Sequence, residues 1–187
     1  MKLAAFVGFL AVVLTGCGGK GAEPKMTTGP AVEGFAFTSA SEVENGKPVP
    51  ARFTCDGKDV SPKLVWTGVP DGAKELALVL EDPDAPSGTF THWLVYDLNL
   101  SVSEFGATGW TAYAPGGPPR DGTNDFGKLG YGGPCPPRGQ THHYVFRLLA
   151  LDKKLDLEPA SDRSAFEKAI AGHVLAEARL TTTYARS

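Results

Sequence analysis

The chain has no apolar run long enough to cross a bilayer. The longest, Leu3 to Leu14, falls well short of the roughly 20 residues that a spanning helix needs. It also lacks any cluster of Lys and Arg. With 18 basic against 21 acidic residues the net charge is −3, which argues against nucleic acid as a main partner. No HExxH or comparable metal-ligand spacing occurs, so neither metal nor cofactor is expected. No Gly-x-Ser-x-Gly occurs either, and no serine is placed to face a histidine as an acyl-transfer nucleophile. Internal repeats are missing, and 187 residues are too few for two ordinary domains.

What is present fits one exported, β-rich domain. Hydrophobic content of 42% and charge of 21% are those of a globular protein, and 23 Gly with 15 Pro favour a loop-rich β fold over a helical bundle. At the N-terminus, Lys2 precedes the short apolar core and small residues follow it, the pattern of a signal peptide over residues 1–16. The core ends in Leu14-Thr15-Gly16-Cys17, which resembles the lipobox of bacterial lipoproteins and implies that Cys17 is acylated and becomes the first mature residue. Gly18 follows, with no Asp there to suggest inner-membrane retention, so in a two-membraned cell the expected address is the outer membrane, facing the periplasm. Residues 17–34, rich in Gly, Pro and Thr and without hydrophobic period, read as a lipidated flexible tether, with the domain proper at 35–187.

With Cys17 assigned to the anchor, Cys55 and Cys135 remain, in a protein exported to an oxidising compartment. Both lie in Gly-flanked, loop-like segments, FTCDG and GGPCPP, and are expected to form a disulfide.

Short strand candidates are Phe35 to Thr38, Val49 to Phe53, and KLVWTGVP, which Pro70 closes. ELALVLED, HWLVYDLN and HHYVFRLLALD are nearly all apolar, as in strands buried on both faces. SDRSAFEKAIAGH places Ala165, Phe166, Ala169 and Ile170 on one helical face, with Ser161 or Ser164 as cap. From Val174 to Tyr184 the alternation of Val174, Ala176, Ala178 and Leu180 against Leu175, Glu177, Arg179 and Thr181 predicts a final strand. Between these elements, Gly116 to Gly139 is so rich in Gly and Pro that neither helix nor central strand can run through it. Such long loops inside a compact domain are usually functional.

That loop leads into His142-His143-Tyr144. In an extended chain His142 and Tyr144 share a face and His143 points away. LALVLEDPDAPSGTFTHWLVYDL, Leu76 to Leu98, ends a strand on Asp82 and Asp84, stiffened by Pro83 and Pro86, and returns through His92. The candidate cluster is therefore Asp82, Asp84, His92, His142 and Tyr144, drawn from three strand ends. An apolar strand followed by Asp-x-Asp also suits haloacid dehalogenase-type phosphatases. Their helix after the strand and downstream acidic pair are not found here.

DPDAPSG, then HW opening a strand, then NDFGKLGYGGPCPPRGQTHHY resembles the phosphatidylethanolamine-binding protein family, in its bacterial Raf kinase inhibitor-like branch. FTCDGKDVSPKLVWTGVP and AGHVLAEARLTTTY add to the resemblance, which runs from about Phe35 to Tyr184. It implies a mainly β fold: a large antiparallel sheet packed on a smaller sheet, with few short helices. It also implies a small surface pocket for phosphate-like anions or phospholipid head groups. By position, that pocket would use Asp82, Asp84, His92, Pro137 in the Gly133 to Pro137 loop, His142 and Tyr144. The span from the acidic motif to His92 is only SGTFT, shorter than in eukaryotic members, and no long C-terminal helix follows.

Acids beside an anion pocket make physical sense if they act on imidazole. A carboxylate fixes a histidine tautomer and favours its cation, so Asp82 would turn His92 or His142 into a fixed donor toward the anion. Tyr144 and loop amides would add donors. With no nucleophile and no metal, the expectation is a lipid-anchored envelope protein that binds without turnover and acts by regulation or inhibition. The alternatives are an interaction module with a vestigial pocket, or a weak hydrolase.

Overall fold

The computed structural model of the chain describes residues 26–106 and 119–187. The signal peptide at 1–16, Cys17, the first part of the tether and the start of the Gly/Pro-rich loop at 116–118 lie outside the described residues.

The elements run β1 (Ala36–Ser39), β2 (Leu64–Thr67), β3 (Glu75–Asp82), β4 (Phe90–Leu98), β5 (Glu104–Phe105), β6 (Arg120–Asp121), β7 (Thr141–Leu151), α1 (Arg163–Ile170) and β8 (Val174–Ala185). They form two antiparallel sheets, a smaller one in the order β1-β2-β5 and a larger one in the order β6-β4-β3-β7-β8. The fold is thus mainly β with a single short α-helix among the described residues, as the sequence implies.

The all-apolar runs become strands covered on both faces because the large sheet sits between two layers. Leu76, Leu78 and Leu80 of β3, with Phe146 and Leu148 of β7, pack toward Phe37, Leu64 and Trp66 of the small sheet. Ala77 and Val79, with Leu94, Tyr96, Leu149 and Leu151, pack under Phe166 and Ile170 of α1. Burying one such Leu or Phe side chain stabilises by about 1.5–3 kcal/mol, so the strands that read as purely apolar anchor both cores.

Several expectations are corrected. Val49 to Phe53 is not a strand: Ala51–Phe53 form a single 3-10 turn in which Phe53 N–H donates to Pro50 O. Pro48 and Pro50 precede it, and each removes a donor that a ladder would need. The cap of α1 is Asp162, not Ser161 or Ser164. Its carboxylate accepts from Ala165 N at 2.8 Å, while Ser161 Oγ donates to Glu158 O. The strand expected to open on His92 begins at Phe90. In β8, Val174 leaves the face of Ala176, Ala178 and Leu180, because the register slips between Ala150 and Leu151 and turns Val174 toward the helix-side core. Within the Gly/Pro-rich loop, Arg120–Asp121 pair with β4 as an edge strand.

Ordered contacts also begin before the expected boundary at Phe35. Thr27 N–H donates to Glu167 and Gly29 N–H donates to Glu177, while Glu177 N–H donates to Pro30 O. The acceptors belong to a buried charge network. Arg147, fully buried on β7, donates to Glu177 at 2.7 Å, to Glu81 at 3.1 Å and to Thr27 O at 2.5 Å. Residues 27–30 therefore strap the helix side of the sheet over its only buried arginine among the described residues.

Candidate functional site

The site lies at one end of the large sheet, where β3 ends, β7 begins and β4 returns between them and the edge. Asp82 is the last residue of β3 and His142 the second of β7, and both are buried. Asp82 Oδ2 lies 2.8 Å from His142 Nδ1. The other carboxylate oxygen, Oδ1, accepts from Asp84 N–H at 2.9 Å, an Asx turn across Pro83 that prevents the carboxylate from rotating. Tyr144 follows His142 on the same face, and its hydroxyl is buried without a well-formed hydrogen bond, although the Asp82 carboxylate and the Cys135 backbone lie close to it. Burial first, and then the Asp82 charge nearby, push Tyr144 far above its ordinary value, so it remains a neutral hydroxyl.

His92 reaches this cluster through a bulge. Leu80 pairs with Trp93 but Glu81 pairs with Thr91, which leaves His92 as the extra residue of β4. The bulge re-aims its ring, which meets Tyr144 edge-on at 5.2 Å between centroids. Its Nδ1 faces two carbonyls, Gly132 O at 2.8 Å and Gly133 O at 3.1 Å, so Nδ1 carries the proton and Nε2 is left as an acceptor. Burial lowers His92 below its ordinary value, against the pull of the Gly132 carbonyl and the Asp82 charge. His92 is thus a neutral acceptor, and the carboxylate-held imidazole is His142.

The wall opposite is the 131–137 segment. Tyr131 Oη donates to Phe53 O at 2.7 Å and Gly133 N–H donates to Asp59 Oδ1 at 2.6 Å. A Cβ at Gly133 would come within 2.3 Å of Phe53 O, so only glycine allows the approach that aims its carbonyl at His92. Cys55 and Cys135 form the expected disulfide, with Cα atoms 5.4 Å apart, and Cys55 N–H donates to Pro134 O beside it.

Four of the predicted residues, Asp82, His92, His142 and Tyr144, come together. Asp84 stands at the rim and turns outward, accepting from both the backbone N–H and Nδ1 of His143 at 2.7 Å. Those bonds hold the Asp84 carboxyl below its usual range. Pro137 is exposed, and its carbonyl accepts from Gln140 N–H in the turn entering β7. The sequence reading missed Gln140, whose Oε1 lies 3.0 Å from His142 Nε2. Its spacing of two from His142 was the available signal. The same reading placed Gly133 in the pocket loop but expected amide donors there, and it missed Gly132. Both contribute a carbonyl to His92, which leaves no trace in residue type, while Gly133 N–H donates to Asp59.

The arrangement offers one buried neutral hydroxyl, one imidazole acceptor, and one imidazole oriented by a carboxylate. Comparison with known proteins agrees with the fold and the motifs. Residues 39–185 match the family model described as phosphatidylethanolamine-binding protein. A UPF0098 protein of Methanothermobacter thermautotrophicus is 48% identical over 143 residues, covering 74% of this chain and 91% of that protein. A Mycobacterium tuberculosis protein named "Putative lipoprotein LppC" is 39% identical over 193 residues, covering 94% of this chain and 91% of the relative. Among solved structures, E. coli YbcL, described as a new member of the mammalian PEBP family, superposes with a TM-score of 0.74 at 32% identity, over 82% of this chain and 99% of YbcL. The chain belongs to the phosphatidylethanolamine-binding protein family.

Proposed function

We propose that this chain is a lipid-anchored envelope protein whose Asp82–His142–Tyr144–His92 site binds a phosphate-like anion or phospholipid head group without turnover, in a regulatory or inhibitory role. The observation that carries the reading is the Tyr144 hydroxyl, buried beside the Asp82–His142 pair without a well-formed hydrogen bond of its own. A buried donor without a partner costs about 1–3 kcal/mol, and a ligand oxygen accepting from it would recover that. His92 Nε2 would accept from a protonated phosphate oxygen, and Asp82 would balance a cationic group such as an ammonium. Such a donor–acceptor set suits a monoanion or a zwitterionic head group better than a dianion.

Titrating the protein with phosphoethanolamine, and separately with inorganic phosphate, tests this through the imidazole ¹⁵N resonances. The expected result is saturable shifts at His92 and His142. Unmoved resonances for both ligands sink the binding reading and favour the interaction module, in which Gln140 already occupies His142 Nε2.

The anchor reading rests on the Leu14 to Cys17 motif and on the "Putative lipoprotein LppC" relative, whose aligned share of this chain is larger than residues 17–187 account for and so extends into the leader. In detergent phase partitioning, Cys17→Ser moves the protein to the aqueous phase. A mutant that stays with detergent rules the anchor out. Density-gradient separation of the two membranes then checks the expected outer-membrane address.

A further inference from the structure

Among the described residues four large apolar side chains are exposed, Val32, Leu100, Phe126 and Leu129. Two of them sit on one turn beside the site. Phe126 is 43% exposed and Leu129, the most exposed of the four, is 60% exposed.

This turn is rigid, so its exposure is built in. Asn124 is buried, and its Oδ1 accepts from Phe126 N–H and Lys128 N–H while its Nδ2 donates to Gly130 O. The turn is closed by Asn124 N–H donating to Lys128 O, with Gly127 at φ 72° supplying the left-handed step. Its base is fixed to β4 by Asp125 N–H donating to Thr91 O and Thr91 N–H donating to Asp125 Oδ2 at 2.5 Å. One oxygen of the Asp125 carboxylate is thereby bound to β4 while the residue stays exposed, and Lys128 at the tip forms no ion pair among the described residues. Phe126 leans edge-on against Phe90 at 4.8 Å and His92 at 5.2 Å, which joins the turn to the wall of the site.

We propose that Phe126, Lys128 and Leu129 form a membrane-contact tip that seats the domain on the bilayer holding its anchor, with the site opening toward the head groups. The proposal rests on the lipid-anchor reading. Three observations select a lipid surface as the occupant. Two apolar side chains flanking a lysine that has no carboxylate partner match the composition of interfacial membrane contacts, with the lysine attracted to anionic lipid. The tip needs no ordering on contact, because its backbone is already fixed. The tether also reaches. From Cys17 to Thr27 is ten residues, at most about 35 Å of extended chain. Thr27 is held at Glu167 of α1, while the base of the turn is held at the loop that enters the same helix, by Thr123 N–H donating to Ser161 O and Thr123 Oγ1 donating to Ala160 O. Anchor exit and the base of the turn are thus both fastened around α1, a few residues apart, a separation well within the length of the tether.

The test uses the lipidated protein reconstituted into phosphatidylcholine–phosphatidylglycerol vesicles with brominated acyl chains. Leu129→Trp is compared with Leu100→Trp, both at exposed positions outside the packed core. The emission of each added indole is read after subtracting the wild-type signal. Vesicle flotation reports the anchor independently. The expected result is flotation of both variants, with the Leu129→Trp emission shifted to the blue and quenched several-fold more than the Leu100→Trp emission. Adding Lys128→Glu to the Leu129→Trp variant should weaken the quenching. Flotation with equal or no quenching overturns the membrane tip while leaving the anchor standing. A blue shift without bromine quenching means that a second copy covers the patch, and also overturns it. Loss of flotation overturns the anchor reading and this proposal together.

Discussion

Asp82 and His142 are sixty positions apart in the chain and lie 2.8 Å from each other, both almost fully withdrawn from water. A charge-assisted bond in such surroundings is worth about 1.5–3 kcal/mol. Asp82→Asn keeps the shape of the side chain but removes its charge. It should lower unfolding stability by about 1–3 kcal/mol and weaken phosphoethanolamine binding at least tenfold. Urea denaturation and calorimetric titration check the two effects separately.

The Cys55–Cys135 bridge closes a sequence separation of 80 and pins the segment whose Gly132 and Gly133 carbonyls orient His92. Its removal should destabilise the domain by about 4 kcal/mol in the chain-entropy description. In the reduced protein, or with both cysteines replaced by serine, the His92 ring resonances should broaden and ligand affinity should fall. Retention of full affinity after reduction would show that other contacts alone hold the wall.

Arg147 is fully buried and holds Glu81 and Glu177, with Glu167 at 3.9 Å. Arg147→Met should cost about 3–5 kcal/mol, because it removes the buried cation between the carboxylates. Arg163, 3.3 Å from Glu81, and Arg179, 2.6 Å from Glu177, compensate only in part. Glu177→Gln should cost less, since Arg147 keeps Glu81. Removing residues up to Gly34 should also destabilise, because Thr27 and Gly29 cover this network. Equilibrium unfolding of the three variants ranks the effects.

Glu75 supplies a pH dependence. It is buried, accepting from Asp97 N–H and Leu155 N–H. Burial, aided by the Asp97 charge and opposed by those two amides, raises its carboxyl from 4.5 to about 7. The folded state therefore binds a proton that the unfolded state releases. The resulting stabilisation is complete below pH 4.5 and is lost as pH rises toward 7. Glu75→Gln should flatten the stability profile across that window while lowering stability at acid pH, since the amide cannot accept from both N–H groups through oxygen. Denaturation midpoints at several pH values decide it. An unchanged slope assigns the dependence elsewhere.

The long elements were legible because their signal is strong. β3, β4 and β7 are nearly continuous apolar runs, and β8 alternates over most of its length. β5 and β6, two residues each, carry no readable period and exist only because a longer strand offers them an edge. The helix cap reads from sequence as Ser161 or Ser164, which passes over Asp162 between them, equally able to cap. Asp162 takes the role because its oxygen reaches Ala165 N.

Residue order alone dictated the mainly β architecture, the pairing of Cys55 with Cys135, and the common face of His142 and Tyr144. These follow from the motifs, from the cysteine count and from strict two-residue periodicity. Tertiary structure alone decided which histidine Asp82 would hold, that Asp84 would turn outward to His143, and that His92 would face Tyr144 at all. His92 sits one residue before Trp93, so strict alternation puts the two on opposite faces. The bulge between Leu80 and Glu81 breaks that alternation, and no local propensity of Thr91, His92 or Trp93 announces it. A bulge answers to the packing and hydrogen bonding of neighbouring strands and loops, here the carbonyls of Gly132 and Gly133, which come from the far side of the chain.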